Sequence, residues 1–131
     1  MAIVAVDTCV IIRLLTKDDL KQYQKSYRLI EKNLIFISDT VILETQWVLK
    51  AAYNYSKEQI SKDLRWLCGL NNVRLENSSA VAAAISWYES GLDFADALHL
   101  AKSQQCSLLY TFDKEFIKRG NGKGSCRVEK L

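Results

Sequence analysis

The chain has 131 residues, 49% of them hydrophobic, and a formal net charge of +3, the size of one domain that can bury a core and too short for two. No apolar run approaches the roughly 18 residues of a membrane span. The N-terminal apolar segment is interrupted by Asp7 and Arg13, where a signal peptide would run on, so a single cytoplasmic domain over residues 1–131 is expected.

Ala2 to Val6 is a short apolar run rich in β-branched residues that stops at Asp7, which predicts a buried strand ending in a carboxylate. Thr8 follows, and Val10, Ile11, Leu14 and Leu15 mark a short helix. A second, amphipathic helix opens at Asp18 or Asp19 and runs through Leu20, Tyr23, Tyr27 and Ile30. Leu34 to Ile37 predicts a second buried strand. Ser38 and Asp39 supply helix-start chemistry for an almost wholly apolar helix from Val41 to Leu49. Glu44 is the only ionisable group inside that run. A charge there is exposed, paired or bound to a cation, because burying it alone costs several kcal/mol.

Ser56 with Gln59 makes a capping-box pattern, and Ile60, Leu64 and Leu67 carry that helix to Gly69. Val73 to Leu75 is a brief strand and Ser79 to Tyr88 an alanine-rich helix that ends before Gly91. Asp93 and Asp96 then fall in the first turn of a helix whose Ala97, Leu98 and Ala101 share a face. Capping explains Asp93 by itself, since this end of a helix favours negative charge. Ser107 to Thr111 is a further buried strand, with Asp113 just past its end. Phe116 and Ile117 suggest a short helix, Arg119 to Ser125 a flexible basic loop, and Cys126 to Glu129 a last edge strand.

Strands alternating with helices imply an α/β fold with a mostly parallel sheet of about five strands covered on both faces. Ligand sites in such sheets lie outside the carboxyl ends of the strands. Asp7 and Asp113 stand at such ends, and the start of the 93–101 helix can reach the same edge. Crowded carboxylates repel one another and are stabilised by a divalent cation. Oxygen ligands without Cys or His select Mg²⁺ or Mn²⁺, ions that polarise a phosphodiester and activate water for its hydrolysis. With Asp7, Glu44, Asp96 and Asp113 set aside, 18 basic residues face 11 acidic ones, a balance that suits a polyanion.

Two other aspartate-based sites fit less well. An aspartyl-phosphate phosphatase wants Asp-x-Asp after the first strand, where this chain has Cys9, and the acid and lysine set of a phosphorylated receiver domain is missing. Cys9, Cys68, Cys106 and Cys126 are scattered, with no Cys-x-x-Cys pair and one histidine in the chain, which speaks against zinc and for free, mostly buried thiols.

Val6-Asp7-Thr8, the stretch from Ile37 to Glu44, Asp93-Phe94-Ala95-Asp96-Ala97-Leu98 and Thr111-Phe112-Asp113, in this order and spacing, resemble the PIN domain family, and more narrowly the VapC toxins of toxin–antitoxin pairs. The resemblance covers essentially the whole chain. It implies an α/β/α sandwich and a Mg²⁺- or Mn²⁺-dependent ribonuclease, a homodimer held inactive by a cognate antitoxin. Metal-binding and catalytic acids would be Asp7, Glu44, Asp96 and Asp113, with Asp93 a further metal ligand and Thr8 and Thr111 in support. Where many members carry Asn, this chain has Cys9, a poorer hydrogen-bonding group. A housekeeping RNA-processing nuclease and a catalytically silent binding module share the same fold.

Other groups have plainer readings. His99, one helical turn past Asp96, reads as a packed helix residue. Arg13, Lys102, Lys114, Lys118, Arg119, Lys123 and Arg127 read as solvated surface that would line an RNA path, with the 119–127 loop best placed for phosphate. Trp47, Trp66 and Trp87 read as mostly core, and Tyr23, Tyr27, Tyr53 and Tyr55 as candidates for a dimer or antitoxin groove.

Overall fold

The computed structural model describes residues 2–131 and divides into two compact units, Met1–Ser78 and Ser79–Leu131. In the first unit the order is β1 (Ile3–Ala5), α1 (Thr8–Thr16), α2 (Leu20–Lys32), β2 (Leu34–Ile37), α3 (Asp39–Ala51), α4 (Lys57–Cys68) and β3 (Val73–Leu75). The three strands form one parallel sheet in the order β1-β2-β3, with Val4 opposite Ile35 and Phe36 opposite Arg74. α1 packs on α2 and α3, α3 on α4, and α4 on β3. Ile11, Ile35, Ile37, Ile42, Leu49, Ile60, Leu64 and Leu67 are fully buried, each contributing about 1.5–3 kcal/mol relative to an exposed side chain.

Local chemistry sets the helix starts. Asp7, Asp19, Ser38 and Ser56 cap α1 to α4, and Ser56 and Gln59 close a reciprocal capping box. Each cap side chain accepts a hydrogen bond from an N–H that the helix itself leaves without a partner.

The second unit runs α5 (Ser78–Glu89), α6 (Phe94–Ala101), β4 (Leu108–Thr111), α7 (Lys114–Gly120) and β5 (Arg127–Lys130). β4 and β5 pair in parallel from Leu108 opposite Arg127 to Thr111 opposite Lys130, and α7 packs on both strands and on α6. Phe94 is fully buried and meets Tyr88 edge-on at 5.4 Å. Gly91, at a φ of +119°, turns the chain from α5 toward α6, a conformation that only glycine adopts without strain.

The α/β class and the parallel strands follow the sequence, but the five strands lie in sheets of three and two rather than in one. Burial also differs. β1 is an edge strand with Ile3 59% exposed, and β4 leaves Tyr110 exposed, whereas the central β2 buries Ile35 and Ile37 completely. Trp47 and Trp66 are surface residues, 63% and 51% exposed, because α3 and α4 turn Ile42, Leu49, Ile60 and Leu64 inward instead. All four cysteines are free, and Cys9 and Cys106 are exposed rather than buried. Among the described residues no helix is long and apolar enough to cross a membrane.

Candidate functional site

β1 delivers the chain through buried Val6 to Asp7 at the strand's carboxyl end, where the carboxylate caps α1. Asp7 Oδ1 accepts from the backbone N–H of Cys9 at 3.0 Å, and Oδ2 has no protein partner among the described residues. Thr8, buried behind it, donates its hydroxyl to Glu44 Oε1. Glu44 itself is exposed on α3, which answers how an otherwise apolar helix accommodates a charge: one oxygen is held by Thr8 and the other faces solvent. The first unit thus brings Thr8 and Glu44 together beside Asp7.

In the second unit Asp93 caps α6, accepting from the backbone N–H of Asp96 at 3.2 Å. Asp113 stands past the carboxyl end of β4 and caps α7, its Oδ1 accepting from Glu115 N at 2.9 Å and Phe116 N at 3.3 Å. Thr111 Oγ1 accepts from the Asp113 backbone N–H at 3.0 Å and so fixes the turn that presents this carboxylate. Asp96 is half-buried. Burial first, and then the charges of Asp93 and Asp113, raise its carboxyl above the usual range, while His99 acts in the opposite direction. Asp93 and Asp113 are therefore electrostatic neighbours of Asp96, and exposed His99 also acts on Asp96.

Some other acids of the chain are ion-paired. Asp18 pairs with Arg13 at 3.1 Å, Glu115 with Arg119 at 3.0 Å and Glu129 with Arg127 at 3.0 Å. Asp7, Glu44, Asp93, Asp96 and Asp113 have no basic partner among the described residues. Their free oxygens are hard donors, and the mutual repulsion around Asp96 is of the kind a divalent cation relieves. The donor chemistry fits Mg²⁺ or Mn²⁺, although no three His, Cys, Asp or Glu side chains among the described residues are grouped so as to hold an ion.

The basic loop after α7 is tied down at its far end by side chains. Gln104 Oε1 accepts from the backbone N–H of Ser125 at 2.8 Å, and Asn121 bonds both the N–H and the carbonyl of Val128. The Ser125 and Val128 N–H groups are thus engaged within the fold. Sequence reading also missed how Arg13 is used. Its guanidinium donates to Gln22, Asp18 and Tyr53, and the Tyr53 hydroxyl donates to Asp18 at 2.6 Å. Only the charge of Arg13 was visible in sequence, because Tyr53 lies 40 residues away.

The family model described as "PIN domain" matches residues 4–121, most of the chain and every candidate acid. No curated protein matches the sequence.

Proposed function

From the premise that the chain belongs to the PIN domain family, a family of nucleases, we propose that it is a Mg²⁺- or Mn²⁺-dependent endoribonuclease and the toxin of a toxin–antitoxin pair. The acids that carry the activity are Asp7, Glu44, Asp96 and Asp113. Asp93 adds a further metal-binding carboxylate, Thr8 orients Glu44, and Thr111 orients Asp113. The observation that carries this reading is that all five acids lie in the matched segment and that three of them stand just past a strand end or at a helix start with a carboxylate oxygen held by backbone N–H groups.

A bound divalent ion would supply charge for the scissile phosphate and a more acidic water. The protein's own part is to hold the carboxylates oriented. Asp7, Asp93 and Asp113 are fixed by helix N–H groups, Glu44 by a hydroxyl, and Asp96 is set among negative neighbours. The whole chain is read as one cytoplasmic nuclease domain, acting as a homodimer and silenced by a cognate antitoxin. The family match across both compact units supports a single domain; the toxin role rests on the four motifs.

The test is cleavage of a mixed RNA pool, transfer RNAs included, by the purified chain with Mg²⁺, with Mn²⁺ and with chelator, beside Asp7→Asn purified identically. Metal-dependent fragments made only by the unsubstituted protein are expected. Equal cleavage by both proteins, or none by either in the presence of metal, overturns the nuclease. An antitoxin-like reading frame immediately upstream separates the toxin from a housekeeping enzyme.

A further inference from the structure

We infer that a slot between α1 and α3 seats one nucleotide of the RNA strand, with Arg13 contacting that nucleotide's phosphate. The inference rests on the nuclease reading above and names where that substrate's chain is gripped. The slot has a volume of ≈ 310 Å³ and is lined by Thr8, Cys9, Ile12, Arg13, Glu44, Val48, Ala52 and Tyr53. This is the small end of the usual ligand-pocket range of roughly 300–1,000 Å³, suited to one nucleotide unit rather than a duplex. Its walls at Ile12, Val48 and Ala52 are apolar, as the face of a base requires, and its polar groups are at Thr8, Glu44, Arg13 and Tyr53.

Arg13 is prepared for such a contact. Nε donates to Gln22 Oε1 at 2.6 Å, and Nη1 donates to Asp18 Oδ1 at 3.1 Å and to the Tyr53 hydroxyl at 3.0 Å. Asp18 is fixed in turn by Thr16 at 3.0 Å and by Tyr53. Nη2 has no protein partner among the described residues. A guanidinium held at two nitrogens with the third unused has already lost the rotamer freedom that ligand binding would otherwise cost. A planar donor of this kind matches a phosphate oxygen. The slot also carries Glu44, so the nucleotide gripped there is adjacent to one of the acids assigned to the reaction.

Cys9 supplies the readout, since its thiol is exposed and lines the slot. The experiment measures alkylation of Cys9 by peptide mapping, with exposed Cys106 as internal control. It is done with and without a single-stranded oligoribonucleotide, with Ca²⁺ in place of Mg²⁺ to restrain cleavage, while fluorescence anisotropy reports RNA binding separately. With RNA at ten times its Kd, Cys9 should react about tenfold more slowly and Cys106 at an unchanged rate. Arg13→Gln should raise the Kd by about tenfold or more, the usual consequence of losing a hydrogen bond to a charged group. If Arg13→Gln does not fold by circular dichroism, Tyr53→Phe, which frees the guanidinium from one acceptor, should weaken protection in the same direction. RNA bound with Cys9 still fully reactive overturns the slot and leaves the nuclease standing. No RNA binding together with no cleavage overturns both.

Discussion

Thr8 donates its hydroxyl to Glu44 Oε1 across 36 residues of sequence, tying the first turn of α1 to the middle of α3. The link sets the direction of a carboxylate that would otherwise sample several rotamers on a solvent-facing helix surface. Thr8→Val keeps the shape and removes the donor. Because Glu44 can turn to water instead, the stability cost should be only about 1 kcal/mol. Metal-dependent cleavage should fall by about 10–100-fold, as for other residues that orient a metal-binding carboxylate. Urea denaturation and cleavage rates across a Mg²⁺ titration check the two numbers separately.

Asp96 gives a pH signature. Its carboxyl is raised above the ordinary value by burial and by Asp93 and Asp113, so between the ordinary and the raised pKa the folded chain binds more protons than the unfolded one. Stability therefore declines as pH rises through that window, and the penalty is complete above it. Asp96→Asn removes the penalty. Without metal, the variant should melt higher than the unsubstituted chain at neutral pH, and the gap should close as pH falls to the ordinary carboxylate range. Thermal melts in chelator at several pH values would show it; a gap independent of pH would contradict the repulsion. The same variant should lose cleavage.

At Asp113 capping and chemistry can be separated. Asp113→Asn retains an oxygen for the N–H groups of Glu115 and Phe116 but loses the charge, so it should keep its stability and lose cleavage. Asp113→Ala loses both, at a further cost of about 1 kcal/mol for the missing cap. Chemical denaturation of the pair, with cleavage measured in parallel, distinguishes an acid that only caps from one that does both.

Gly91→Ala places a side chain on a residue at φ +119°, with the new Cβ 2.7 Å from Arg119 Nη1. The arginine tip can move aside, whereas the backbone cannot relax without redirecting Asp93. A loss of about 1–3 kcal/mol is expected. Equilibrium urea unfolding should show a lower midpoint with an unchanged slope.

Features decided within a few residues could be read from the sequence. The caps at Asp19, Ser38, Ser56 and Asp93, and the carboxylates past β1 and β4, are local events in which a side chain meets its own helix. Strand burial was not legible, because Ile3 at an edge and Ile35 in the middle of a sheet sit in equally apolar runs. Nor was the buried face of α3, which is apolar nearly all round, so that Trp47 looked as much a core residue as Leu49. Glu44 stood out as a lone charge, but its contact with Thr8, like the meeting of Arg13, Asp18 and Tyr53, depends on separations of 35 to 40 residues that no local pattern encodes.

The capping aspartates carry one more implication. Asp7, Asp93 and Asp113 each have one carboxylate oxygen engaged by helix N–H groups and the other without a partner among the described residues. Their torsional freedom was surrendered when the helices formed, as part of folding. Whatever approaches the other oxygens therefore meets side chains that are already restrained, and part of the conformational entropy usually lost when a flexible carboxylate closes on a ligand has been lost beforehand.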